Sequence, residues 1–294
     1  MGLYHTPVLL RESIESLNIK SSGIYLDATF GGGGHSRAIL EQLGQKGRLL
    51  AFDQDPDSQQ NVPEDERISW IRSNFRFIHN VCKYRGVTGV DGILADLGVS
   101  WHQFDTADRG FSFRFEAPLD MRMNRESGKT AAEILNNYSR KDLASLFFRF
   151  AEFKNAGALA GAIVEARSPE PLQTTGDLAR ALERFIPRNA EHKFLAKIYQ
   201  ALRMEVNEEI RALEGLLNQS IPLLNPGGRL VVITYHSLED RMVKHFIRDA
   251  SANGLIRPVN KKPILPREEE IQQNTRARSA KLRAAERTEE KIHA

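Results

Sequence analysis

Four strand-length apolar runs punctuate the first hundred residues of this chain: GIYLDAT (23–29), GRLLAFD (47–53), ISWI (68–71) and VDGILADLG (90–98). Each is rich in Ile, Leu, Val or aromatic residues and is bounded by Gly or charge, the mark of a strand buried on both faces. Between the first two runs, HSRAILEQLG gathers Ala38, Ile39, Leu40 and Leu43 on one helical face and stops at Gly44. The FRFIHNVCKY segment between the third and fourth has similar helical spacing. Strands that alternate with helices build βαβ units, so the expectation is an α/β fold with a mostly parallel, Rossmann-like sheet.

After DLGVS the pattern changes. Residues 105–205 hold no strand pattern; SRKDLASLFFRFAEFKNAGALAGAIVEAR, TGDLARALERF and EHKFLAKIYQALRMEVNEEIRALEGLL read as helices, with Ser139 and Thr175 as caps. Strand character returns at NPGGRLVVITY (225–235), with Pro-Gly-Gly as the turn before it. The expected organisation is a discontinuous domain (1–104 and 206–294) with an inserted all-helical domain at 105–205. The helix near 203–224 serves as the crossover into the fifth strand. In the tail, SAKLRAAERT is compatible with a helix by propensity, but the fold argument favours a last antiparallel strand. Cys82 lies in a helical pattern and reads as a buried apolar residue.

Composition narrows the class. The 294 residues are 41% hydrophobic and 27% charged, with a net charge of +3 and one cysteine. There is no apolar run of about 18 residues to span a membrane, and the start MGLYHTPVLLRES lacks the form of a signal peptide. Gly2 gives only a weak myristoylation signal. A single cysteine excludes an internal disulfide and a cysteine-cluster zinc site, and it points to a reducing cytoplasm. No histidines or carboxylates have metal-ligand spacing, so no metal is expected. Two stretches are locally basic: 109–129, with Arg109, Arg114, Arg122, Arg125 and Lys129, and 276–287, with Arg276, Arg278, Lys281, Arg283 and Arg287. Each reads equally as a solvated face or as an RNA contact.

The run GGGGHS (31–36) follows the first strand. In open α/β sheets ligands bind beyond the carboxyl ends of the strands, at the point where strand order switches. Glycines there permit positive φ and close backbone approach, and the next helix offers free N–H groups to an anion. The dinucleotide fingerprint fails because Ser36 stands where its third glycine belongs, and no Lys-Ser/Thr follows to make a P-loop. Asp53 ends the second strand 20 residues after Gly33 and is placed to accept both hydroxyls of a ribose. An adenosine ligand without pyrophosphate fits both features, and S-adenosylmethionine is the common one. Phe75, after the third strand, is placed to stack on adenine or to fill core. Asp96, at the end of the fourth strand, points to the same cleft, and both carboxylates favour a sulfonium cation.

The runs TFGGGGHS, AFDQDP, DGILADLGVS, RGFSF, PLDMRM, YHSLEDR and TRARSAKLRAAER, in this order, resemble the bacterial 16S rRNA (cytosine-N4) methyltransferase family, called RsmH or MraW. The likeness extends from HTPVLL at residue 5 to ERT near 288. It implies a class I S-adenosylmethionine-dependent methyltransferase with a helical insertion. The implied reaction is N4-methylation of a cytidine in the decoding centre of 16S rRNA, the family's cytidine 1402. It also implies that Gly33, Gly34, His35, Asp53, Phe75, Asp96 and Gln103 line the donor site. The segment FFRFAEFKNAGAL departs from the acidic Tyr-Gly-Glu-Glu run of many members. The implied partner is 16S rRNA within the 30S subunit; no membrane partner is expected, and a homodimer is left open.

The cytosine amine is a poor nucleophile, so the reaction needs alignment, a hydrogen-bond acceptor for N4 and a proton sink. Alignment alone contributes on the order of 7–11 kcal/mol in well-oriented cases. Asp96 or a carbonyl in DLGVS is the candidate acceptor. His236 is a second candidate at the base pocket, against the plainer reading of Ser237 and Asp240 as a capping box. His5 and His35 are open between binding and catalysis. Trp101, Phe104, Phe111 and Phe113, interleaved with Arg109 and Arg114, suit an unstacked base or a packing role between domains. Two other readings are a nicotinamide oxidoreductase, disfavoured by Ser36, and a non-catalytic ribosome-assembly factor, disfavoured by the intact glycine loop with Asp53 and Asp96.

Overall fold

The computed structural model describes residues 7–289. Helix α1 (Leu10–Leu17) precedes β1 (Ile24–Asp27), α2 (Gly34–Gln42), β2 (Arg48–Asp53), β3 (Ile68–Arg72), α3 (Ile78–Tyr84) and β4 (Val90–Asp96). Helices α4 (Trp101–Asp105), α5 (Ala131–Asn137), α6 (Arg140–Ala151), α7 (Ala156–Ala166), α8 (Thr175–Leu182) and α9 (Glu191–Val206) follow. The chain closes with α10 (Glu209–Leu223), β5 (Leu224–Thr234), α11 (Ser237–Ala252), β6 (Ile256–Pro258), α12 (Glu268–Gln273) and β7 (Lys281–Arg287). Two compact units result: residues up to Gly98 together with those from Ile210 onward, and Val99–Glu209.

The first unit is built on one seven-stranded sheet of order β3-β2-β1-β4-β5-β7-β6. Strands β1 to β5 run parallel, and β7 pairs antiparallel with β5 and with β6. The reason lies in the period of two along each strand. Tyr25, Leu49, Leu94, Val231 and Ile233 face α1 and α2, packing on Leu17, Ile39 and Leu40. Their neighbours Leu26, Leu50, Ile93 and Val232 face the other layer, with Ile78, Cys82, Leu213, Leu216 and Val243 of α3, α10 and α11. Covered on both faces, the strands read as continuous apolar runs. Burial of each such side chain contributes about 1.5–3 kcal/mol. Cys82 is fully buried in this core, which raises its thiol to about 11.

Four local expectations are corrected. Pro-Gly-Gly is not a turn before the fifth strand. Val90 pairs with Leu224 and Gly92 with Arg229, so the run bulges inside β5, with Gly227 at φ 74°. The cap of α8 is Thr174; Thr175 lies one residue inside and donates its hydroxyl to the Phe115 carbonyl. The capping box of α11 runs from His236 to Glu239, one residue earlier than Ser237 and Asp240. Strand β6 was not anticipated, being three residues at a sheet edge and ending in Pro258, which cannot donate to a ladder.

The second unit is helical. Helix α6 packs against α7 and α9 through Leu143, Leu146, Phe147 and Phe150. Before α5 the chain is tied by side chains rather than by ladders. Arg109, 1% exposed, donates to the carbonyls of Arg122 and Met123. The Asn207 amide accepts from Met123 N and donates to the Met121 carbonyl.

Among the described residues no helix is long and apolar enough to cross a membrane, and no group of three or more His, Cys, Asp or Glu is arranged to hold a metal ion.

Candidate active site at the strand ends

The order β2-β1-β4 sets three aspartates side by side at the carboxyl ends of adjacent parallel strands: Asp53, Asp27 and Asp96. This is the switch point, since the chain winds outward from β1 to β3 on one side and from β4 to β5 on the other. The loop after β1 is stitched to both neighbours, with Ala28 N donating to the Leu94 carbonyl and Phe30 N to the Phe52 carbonyl.

Gly33 caps α2 from the left-handed region, at φ 74°, and its N–H closes a turn on the Phe30 carbonyl. A side chain at Gly33 would meet the Phe30 ring, and one at Gly34 would overlap the Pro7 ring. Gly32 has open space where a Cβ would sit, with nothing within 4 Å. The glycines thus serve two purposes: close packing beneath the loop at Gly33 and Gly34, and an uncluttered surface at Gly32. The loop is held from outside by Asn61, which donates to the Gly31 carbonyl, and by Arg37, which donates to the Gly32 carbonyl.

Asp53 accepts Gly31 N on one oxygen and Asp55 N on the other, both at 2.8 Å. Each carboxylate oxygen retains a second acceptor site. Burial, with Asp55 and Asp27 nearby, raises its carboxyl to about 6. Asp27, which the sequence reading passed over, is 1% exposed and accepts the Ser36 hydroxyl at 2.7 Å and Thr29 N at 3.1 Å. Burial raises it to about 6 as well. Its place directly before the glycine loop was the available signal.

Asp96 is the most perturbed of the three. Burial raises it to about 7, the Tyr235 hydroxyl lowers it, and the charges of Asp27 and Glu239 raise it further. The side chain keeps 23% of its surface exposed, so its carboxyl can be reached. Tyr235 donates to Asp96 Oδ1 at 2.7 Å, and Thr29 Oγ1 accepts Asp96 N at 2.7 Å. Among the described residues, no Lys or Arg pairs with Asp27, Asp53 or Asp96.

His35, 6% exposed in the first turn of α2, is no surface group. Its Nε2 lies 3.2 Å from the Val8 carbonyl, and burial depresses its pKa to about 4. The neutral ring therefore donates from Nε2, which leaves Nδ1 unprotonated 3.9 Å from Asp96 Oδ2. His236 caps α11, its Nδ1 accepting Leu238 N at 3.3 Å. Buried Glu239 accepts the backbone N–H of both Tyr235 and His236 and fixes that strand-to-helix corner.

The remaining candidates are placed as follows. Phe75 sits in the short turn after β3, half-buried against the core. Gln103 belongs to the second unit, where it is buried and closes a capping box with Ser100. The aromatics after DLGVS find partners inside that unit: Arg114 lies over Phe104, Phe111 is buried, and Phe113 sits edge-on to His192 and Tyr199. The Trp101 side chain, His5 and Gly2 lie outside the described residues.

The two basic stretches are largely internal structure. Lys281 and Arg283 of β7 pair with Asp240, and Arg287 donates to the Ile221 and Leu224 carbonyls. Arg122 pairs with Asp120 and Arg125 with Asp108.

A mostly parallel seven-stranded sheet closed by an antiparallel strand, with a glycine loop after β1 and carboxylates at neighbouring strand ends, defines a class I S-adenosylmethionine-dependent methyltransferase fold. The chain belongs to the MraW methylase family, which it matches over residues 2–288. It is 52% identical over 297 residues to the ribosomal RNA small subunit methyltransferase H of Parabacteroides distasonis, covering 97% of each chain. It is 50% identical over 296 residues to the protein of the same name from Bacteroides fragilis, again covering 97% of each. A solved rRNA methylase from Streptococcus thermophilus aligns at 12% identity and a TM-score of 0.43, over 98% of this chain and 100% of that one.

Proposed function

We propose that this protein transfers a methyl group from S-adenosylmethionine to N4 of a cytidine, position 1402, in the decoding centre of 16S rRNA within the 30S subunit, in the cytoplasm. The names of the relatives support the rRNA substrate. The observation that carries the donor is the row of carboxylates at the strand ends, Asp27 buried and Asp53 and Asp96 partly buried, with no basic side chain to balance them. Buried charge without a partner is unfavourable, and a ligand bearing an ammonium, a sulfonium and ribose hydroxyls supplies what the site lacks. The uncrowded backbone at Gly32 and the first N–H groups of α2 suit that ligand's carboxylate. The residues present therefore fit the donor.

In this reading Asp53 accepts the ribose hydroxyls while its backbone bonds hold the glycine loop. Gly33, Gly34 and the start of α2 receive the methionine end. Phe75 lies against adenine, and neutral His35 secures α2 from beneath. The donor supplies an electrophilic methyl group. Asp96 accepts a hydrogen of the cytosine amine, which directs the nitrogen lone pair toward the methyl carbon. Methylation of N4 releases one proton, and a carboxyl titrating near 7 is matched to receive it. His236 orients the base from the start of α11; this role rests on the family motif alone.

The test is transfer of labelled methyl to 30S particles from a strain lacking this protein, with the modified nucleotide mapped. Label at N4 of the decoding-centre cytidine is the expected result. No incorporation into 16S rRNA overturns the reading, and label at another nucleotide overturns the assigned target. Asp96→Ala with retained turnover would remove that residue from the chemistry.

A further inference from the structure

The two basic stretches legible in the sequence are mostly consumed by internal pairs, and exposed cations also stand beside exposed aromatics on α3 and the turn before it. The inner side of α3 is anchored by Ile78 and Cys82, which are fully buried. Its outer side ends in Tyr84, 91% exposed, with Phe77, 43% exposed, seven residues earlier. Phe77 closes the short 3-10 turn that leads into α3, so the two exposed rings mark the two ends of this helix. Arg76 lies over the Phe77 ring at 4.8 Å. Lys83 and Arg85 flank Tyr84 and are exposed, and among the described residues neither pairs with a carboxylate. Residues 74–90 contain no Asp or Glu.

Nothing in the packing of the sheet calls for a fully solvated tyrosine between two unneutralised cations. We propose that this face of α3 is an RNA-contact surface separate from the strand-end site, a proposal that rests on the rRNA reading above. An RNA strand carries one negative phosphate per nucleotide, so a segment of a few nucleotides brings several charges to this face. Tyr84 and Phe77 offer faces on which bases stack, and Lys83 and Arg85 meet the phosphates between them. Charge complementarity selects RNA over a protein partner, because protein interfaces disfavour lysine at their centres.

The test uses the full chain with Tyr84→Ala and with the double change Lys83→Gln/Arg85→Gln. Binding to a transcript of the 16S decoding region is measured from 50 to 200 mM salt, with S-adenosylmethionine binding by calorimetry as the control. Tyr84→Ala is expected to weaken RNA binding by about 5- to 100-fold. The double change is expected to reduce the slope of log affinity against log salt by about 1.4, near 0.7 for each phosphate contact. Donor binding stays as in the wild type in both. Variants that bind the transcript like the wild type overturn the proposal, as does loss of 30S association alone, which would assign the face to a protein. If the wild type binds neither transcript nor 30S particles, it is the rRNA reading that fails.

Discussion

The Tyr235 hydroxyl donates to Asp96 Oδ1 across 2.7 Å, tying the end of β5 to the end of β4 at the point where chemistry is proposed. Two further bonds set the pair: Thr29 accepts Asp96 N, and Glu239 accepts Tyr235 N. Burial beside Asp96 holds the phenol protonated well above its ordinary range, so it acts only as a donor.

Tyr235→Phe keeps the ring and removes that donor. A hydrogen bond to a charged group is worth about 1.5–3 kcal/mol, so turnover is expected to fall roughly tenfold or more with little change in donor affinity. Tyr235 lowers the Asp96 pKa, so its loss moves the acid limb of the rate profile upward. Asp27, Glu239 and His35 face the same carboxyl from β1, α11 and α2 and are unchanged by the substitution. A rate–pH profile that stays in place while turnover falls would limit Tyr235 to a packing role.

Donor affinity should depend on pH. The carboxyls of Asp27 and Asp53 titrate near 6 and that of Asp96 near 7. They attract a cationic donor only when ionised, so affinity is expected to rise from pH 5.5 and to level off near pH 8, about one unit above the Asp96 pKa. Calorimetry across that range checks it, and a flat profile would contradict the electrostatic account.

Stability of the ligand-free protein should run the other way. An unfolded Asp releases its proton near 3.9, whereas these three hold theirs to 6 or 7. Between about pH 4 and pH 7 the folded state therefore binds more protons, and stability falls as pH rises through that window. His35 opposes this, since its pKa near 4 makes the folded state bind fewer protons between about 4 and 6.5. Three groups outweigh one, so Tm without ligand is expected to be higher at pH 5.5 than at pH 8. Asp96→Asn should flatten that slope and raise Tm at pH 8 by a few degrees. An unchanged slope would show that Asp96 does not titrate in this range.

At Gly34 the limit is steric. An added methyl overlaps the Pro7 ring, so Gly34→Ala must push the segment before α1 off the glycine loop. Overpacking of this kind costs about 1–3 kcal/mol. The expected result is a lower Tm together with weaker donor binding, whereas Gly32→Ala, with open space around it, should leave Tm nearly unchanged.

His35→Ala removes the donor to the Val8 carbonyl and leaves a cavity under α2. Steady-state kinetics should show a raised Michaelis constant for the donor with a smaller change in turnover. The reverse pattern would make His35 a participant in the chemistry.

Much of this was legible in residue order because the parallel strands are buried on both faces. Continuous runs such as GILAD and LVVIT can be little else, and the failed dinucleotide spacing at Ser36 with Asp53 at the next strand end already narrowed the ligand. The antiparallel β7 also followed from the need to close the sheet. Tertiary structure alone decided the electrostatics. Asp27 had no role of its own within the GIYLDAT run until β2 and β4 closed around it, and Tyr235 became a partner of Asp96 only when β5 came to lie beside β4. The basic tail looked available to RNA, but pairing β7 with β5 brought Arg283 and Lys281 onto Asp240 from 41 residues away or more. Periodicity along a chain reports which residues leave water, because burial is a local pattern. Which charges then meet depends on strand order, and that is settled only when distant segments pack.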